Sequence, residues 1–243
     1  MSTFGIFVCG SPYSEVSLVS WGLNQHDALS SGPESRFLYQ IFGQSAGLTE
    51  PYLYHIYKQV AEPGTWLASK GVSYPLFAKY IGMGIAEMFT SLTNKTRWVE
   101  SSPENALFID ELAYMFPDAV FLVMQESAEY VAQTVLYRDK KATSVDITKA
   151  LDLSNHYRNC TNSIAERRAD RVFIVPQDRL LTHTENMVDE IFDFIGETKS
   201  PDVLLFLERQ MLMCGTKFSD YRLKKLPALP PQAENLIKVY KQD

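Results

Sequence analysis

Four short apolar runs separated by helical patterns constrain this chain more than any other feature. They are FGIFVC (4–9), RWVES (97–101), AVFLVMQ (119–125) and RVFIVPQ (171–177). Three of them are nearly unbroken, as strands covered on both faces are. The intervening stretches carry helix signals. Ser102 and Pro103 open a helix over 103–116, with the serine as N-cap and the proline at the first helical position. FIDELAYMF then sets Phe108, Leu112 and Met115 on one face. Ser200 and Pro201 repeat that start before VLLFLERQML, and Gly196 closes MVDEIFDFIG as a left-handed cap. Strands alternating with helices predict an α/β fold: three α/β/α layers around a mainly parallel sheet. Ligands bind such sheets at the carboxyl ends of the strands. That rule gathers Gly10 to Ser17, Ser101-Ser102 and Gln125 to Ser127 on one rim.

At 243 residues the chain fits a single domain, 1–243, with a core to about 225 and a tail in which LPALPPQ precedes a short helix, ENLIKVYK. A net charge of −6 argues against nucleic acid or an anionic membrane as the main partner. Cys9, Cys160 and Cys214 show no CxxC spacing, which fits free thiols in a reducing compartment. With no basic region and long apolar stretch at its start, the chain reads as cytoplasmic. Residues 75–92 form the longest candidate span, but Lys79 and Glu87 interrupt it, so it reads as a core helix.

Three stretches together resemble the sulfotransferase family that uses 3′-phosphoadenosine 5′-phosphosulfate. GSPYSEVSLVS (10–20), followed by Gln25-His26-Asp27, falls into the frame G-S-P-R-S-G-T-T-L-L-S then H-P-E. WVESSPENALFIDELAYMFPDA (98–119) matches W-x-E-K-T-P-x-N-x-x-x-x-x-x-L-x-x-x-F-P-D-A. ESAEYVAQT (126–134) sits where the family has R-D-P-x-D-V-A-x-S, and RVFIVPQDRLL (171–181) gives a weaker echo further on. The resemblance implies a fold related to P-loop kinases, and that donor as cofactor if the family activity is kept.

The resemblance also implies a donor site, at Gly10, Ser11, Tyr13, Ser14 and Ser17 in the first loop and Thr134 in the third motif. Yet Tyr13 stands where the family has a basic residue, Glu15 replaces its glycine and Val16 its first threonine. Ser101 replaces the lysine of the second motif, and Glu126 the arginine that grips the 3′-phosphate. At about 5 Å and an effective dielectric near 20, each carboxylate–phosphate pair repels by roughly 3 kcal/mol. Each lost arginine–phosphate bond removes a further ~1.5–3 kcal/mol. No Lys or Arg lies between Trp98 and Arg138 to restore the charge by a shift of register. Lys217 and Arg222 resemble a basic C-terminal segment that touches the nucleotide in the family.

Glu34, in PESRFL, resembles the general base of some family members, and it reads equally as a first-turn helix glutamate. If Glu15, Glu34 and Glu126 meet in one cleft, that cleft favours a cation, an amine or a divalent metal. No histidine shows metal-ligand spacing, and no metal is expected. His26 reads as structural. The aromatic stretch from Phe37 to Tyr80 reads as core packing or an aromatic substrate pocket. Three functions follow. The first is a diverged homologue that has lost the ordinary donor and uses an acidic pocket for a small cationic or aromatic ligand. The second is a sulfotransferase with a non-standard donor site, and the third a non-catalytic protein acting through a protein partner.

Overall fold

A computed structural model describes residues 5–42, 51–212 and 237. The chain runs β1 (Ile6–Gly10), α1 (Val16–Leu23), β2 (Leu29–Ser31), α2 (Phe37–Phe42), α3 (Tyr52–Val60), α4 (Trp66–Ser69) and α5 (Tyr74–Ser91). It continues through β3 (Arg97–Glu100), a 3-10 turn (Pro103–Leu107), α6 (Ile109–Met115), β4 (Val120–Gln125), α7 (Ala128–Arg138) and α8 (Ser144–Arg167). Then come β5 (Val172–Pro176), α9 (Gln177–Thr182), α10 (Thr184–Ile195) and α11 (Pro201–Leu212).

The strands form one five-stranded sheet in the order β2-β3-β1-β4-β5, and every pairing is parallel. The apolar runs are therefore continuous for a reason: successive side chains enter two different cores. Ile6, Val8, Leu122, Met124 and Val175 pack against α1, α9, α10 and α11 on one face. Phe7, Cys9, Phe121, Val123 and Trp98 pack against α2, α5, α6 and α8 on the other. A smaller cluster joins α7 and α8, where Ile237 is buried and Tyr13 packs against them. Burial on the second face pushes the Cys9 thiol far up, with the nearby Glu100 carboxylate adding to the shift, so it is inert.

Four sequence expectations change. β2 was not anticipated, because LSS is three residues long, has a single apolar position and lies at the sheet edge. The helix expected over 103–116 is instead a 3-10 turn and α6, separated at Phe108. Ser102 is extended there, but its hydroxyl donates to Glu100 and caps nothing. Residues 75–92 are a core helix along one side only: α5 buries Ala78, Gly82 and Ala86, and Phe77, Ile85 and Phe89 pack against the second core half-buried. By contrast, Gly196 closes α10 in the left-handed conformation as expected, at φ 70°. Among the described residues no helix is long and apolar enough to cross a membrane. LPALPPQ, most of ENLIKVYK, and both Lys217 and Arg222 lie outside the described residues.

Candidate functional site around the β1 loop

β1 lies between β3 and β4, so the loop after it opens where the strand order switches from one side of the sheet to the other, the usual ligand position in such folds. Gly10 is required at the start of that loop. A Cβ there would lie 2.7 Å from both the Met124 carbonyl oxygen and Ser14 Oγ. The turn that follows is held tightly to itself. Ser14 N–H donates to the Ser11 carbonyl at 3.0 Å, and Ser14 Oγ donates to the same oxygen at 2.6 Å. Tyr13 N–H donates to Ser11 Oγ at 3.2 Å, and Glu15 N–H to Gln177 Oε1 at 2.9 Å. Three backbone donors that a phosphate cradle would present are thus already engaged. The N–H groups of Val16, Ser17 and Leu18, at the start of α1, have no partner among the described residues.

Glu126 follows the end of β4 and is only 3% exposed. Its Oε1 accepts hydrogen bonds from Ser11 Oγ and from Ser154 Oγ, the latter at 2.6 Å. The carboxylate therefore ties the β1 loop to α8. Arg158, one turn after Ser154, donates from Nη2 to the main-chain carbonyl of Glu126. It is half-buried and forms no ion pair among the described residues. Between Ser11, Glu126, Ser154, Arg158 and Thr161 lies a cavity of about 10 Å³, about the room one water needs.

The remaining candidates divide around this point. Glu15 sits just before α1, and its carboxylate accepts from the Tyr130 hydroxyl of α7. Val16 does not face the loop; it is buried in the core beside β1. Ser17 is exposed. Tyr13 packs on the α7–α8 cluster, and the Arg138 guanidinium lies 5.7 Å from its ring centroid. Thr134 is buried in α7, and its hydroxyl has no partner among the described residues. Glu34 is paired with Arg36 at 2.8 Å. No hydrogen bond or ion pair joins it to Glu15 or Glu126. No group of three or more His, Cys, Asp or Glu able to hold a metal occurs among the described residues. His26 is buried. Ala28 N–H donates to its Nδ1, so Nε2 carries the proton given to the Thr198 carbonyl at 2.9 Å.

Sequence reasoning missed Arg158, Ser154, Tyr130 and Gln177, each far along the chain from its partner. One signal was present. Ser154 and Thr161 are polar residues on the otherwise apolar buried stripe of α8. It also missed Glu100, 3% exposed at the end of β3. That carboxylate accepts from Ser35 Oγ at 2.7 Å, Ser102 Oγ at 2.6 Å, Ser102 N–H at 3.1 Å and Asn105 Nδ2. It anchors the segment before α2 to the sheet. Beyond it, an open groove of about 220 Å³ lies beside the β2 edge, lined by Trp21, Asn24, Gln25, Ser31, Gly32 and Pro33.

Known proteins place the fold and the family. Three solved structures are similar to nearly the whole chain. A sulfotransferase domain from the curacin biosynthetic pathway is 14% identical, with a TM-score of 0.60 over 97% of this chain and 96% of its own. A sulfotransferase domain from the Synechococcus PCC 7002 olefin synthase is 18% identical, with a TM-score of 0.61 over 99% and 94%. Sulfotransferase STF9 from Mycobacterium avium is 14% identical, with a TM-score of 0.56 over 99% and 76%. No curated protein matches the sequence. The model of the sulfotransferase family matches residues 5–201, and the chain belongs to that family.

Proposed function

We propose that this chain keeps the sulfotransferase scaffold but does not bind 3′-phosphoadenosine 5′-phosphosulfate in the family's manner, and serves a small cationic or aromatic ligand instead. The observation that carries this reading is Glu126. It stands where the family resemblance places a phosphate-gripping arginine, and it is held there by Ser11 of the loop itself. A nucleotide phosphate seated at this point would meet a buried carboxylate, and would have to break the Ser11 bond to reach the loop hydroxyl. Tyr13, Ser14 and Glu15 contribute no idle backbone donors to offset that cost. The residues present do not fit the donor. Room for a ligand lies instead in the groove beside β2, where Trp21 offers an exposed indole face and Glu34 follows Pro33.

A second reading rests on Arg158. Its guanidinium arrives from α8 beside the position of the lost arginine, and with the N–H groups of Val16 to Leu18 it would give a displaced anion grip. Calorimetric titration of the full chain with adenosine 3′,5′-bisphosphate separates the two. The first reading expects no saturable heat up to millimolar nucleotide. Micromolar binding that is lost in R158A supports the second and overturns the first.

A further inference from the structure

None of the six residues that line the groove beside β2 carries a charge. Glu34, next in the chain, is already paired with Arg36 at 2.8 Å. The Lys95 ammonium is bound to the carbonyls of Asn24 at 2.6 Å and His26 at 3.0 Å. A positive charge fixed on the backbone of a lining residue disfavours a cationic ligand. What the groove does offer is a broad ring face and two amides. The Trp21 indole is 56% exposed, and Asn24 and Gln25 follow it by three and four residues. The helical turn continues through them, since Asn24 N–H donates to the Ser20 carbonyl and Gln25 N–H to that of Gly22. All three side chains therefore share one side of the chain.

The backbone fixes which way round each amide stands. Asn24 Oδ1 accepts from Ser31 N–H at 2.9 Å, which leaves Nδ2 as a donor without a partner among the described residues. Gln25 Nε2 donates to the Trp21 carbonyl at 3.1 Å, which leaves Oε1 as an acceptor in the same condition. A backbone N–H only donates and a carbonyl only accepts, so neither amide can be reversed. We infer that the groove binds an uncharged, planar heteroaromatic with an N–H and a neighbouring C=O on one edge, as in a ring lactam. The ring stacks on the Trp21 indole, the N–H donates to Gln25 Oε1, and the C=O accepts from Asn24 Nδ2. At about 220 Å³ the groove is smaller than a drug-sized pocket and suits a molecule of one or two rings. A sugar needs hydrogen bonds all around its rim, and this groove concentrates its amide donor and acceptor on one edge. The inference rests on the proposal that this groove, and not the β1 loop, takes the ligand, and it selects the aromatic class over the cationic one.

Ligand-observed NMR titration of the full chain with isocarbostyril, a two-ring lactam, should show saturable binding at about millimolar or tighter. Its N-methyl derivative lacks the N–H and should bind about tenfold more weakly. W21A removes an exposed ring, so the chain should stay folded while lactam affinity falls about tenfold or more. N24D keeps an oxygen for Ser31 N–H but replaces the free donor with an acceptor. It should weaken the lactam about tenfold and strengthen benzyltrimethylammonium, which wild type should bind less well than the lactam. No lactam binding, equal affinity for the lactam and its N-methyl derivative, or tighter binding of the ammonium by wild type overturns the inference. The bisphosphate titration fails separately: micromolar binding there removes the proposal beneath this one, whereas a silent bisphosphate beside a silent lactam removes the lactam alone.

Discussion

Glu100 and Glu126 flank β1 at the carboxyl ends of β3 and β4, and both are buried carboxylates without an ion-pair partner among the described residues. Their surroundings differ. Glu100 accepts from two serine hydroxyls, two backbone N–H groups and an asparagine amide, and these donors come from the segment before α2 and from the start of the 3-10 turn. Glu126 accepts from two serine hydroxyls and borders a water-sized cavity and a guanidinium that, among the described residues, bonds to its main chain rather than its carboxylate. A buried charge whose acceptor capacity is filled by neutral donors is a structural tie. One that is half filled and set against a cavity is where a ligand or a residue change is most easily accommodated. The contrast separates the part of this rim that holds the fold from the part to which we assign binding.

Several substitutions test the contrast, from the largest effect to the smallest. E100A strands the donors of Ser35, Ser102 and Asn105 and frees the segment before α2, so it should cost about 3–5 kcal/mol in denaturant unfolding. A loss under about 1 kcal/mol would remove Glu100 from its structural role. E126A strands only Ser11 and Ser154 and should cost about 1–2 kcal/mol in the same measurement. Equal losses for the two variants would erase the distinction between them. Y130F, which deletes the hydroxyl donated to Glu15, should cost about 1 kcal/mol.

The smallest effect concerns pH, away from the rim. Burial pushes the Asp110 carboxyl up, but bonds from Arg168 and Arg167 outweigh it and hold the group below the usual carboxylate range. A depressed folded pKa gives stability that is present above the unfolded value and lost as pH falls through the folded one. Wild type should therefore lose this contribution only under strongly acidic conditions. D110N should be slightly less stable near neutrality and indistinguishable from wild type at the acid end, as thermal melts across pH would show.

The central layer of this fold was legible because β1, β4 and β5 each feed two cores and so carry unbroken apolar runs. β2 was not, since its position is fixed by pairing with β3 and by Asn24 Oδ1 accepting from Ser31 N–H, with no hydrophobic pattern of its own. The helix over 103–116 broke at Phe108, a local backbone choice that side-chain periodicity does not report. At the site, the absence of a basic residue at Tyr13 and Glu126 could be seen in the sequence. Glu34 pairing with Arg36 rather than joining Glu15 and Glu126 could not, nor could the arrival of Arg158. Those contacts are set by how α2 and α8 pack on the sheet.

Glu126 is central to this reading of the rim, so the most direct measurement restores what it replaced. Adenosine 3′,5′-bisphosphate should be titrated calorimetrically into wild type, E126A, and the double variant E126R/E15G, each first shown to be folded by its thermal melt. Wild type should give no saturable heat, E126A weak binding, and E126R/E15G the tightest, at least tenfold above E126A. Nucleotide affinity that is the same in all three folded proteins would contradict the claim that Glu126 closes the β1 loop to the family's donor.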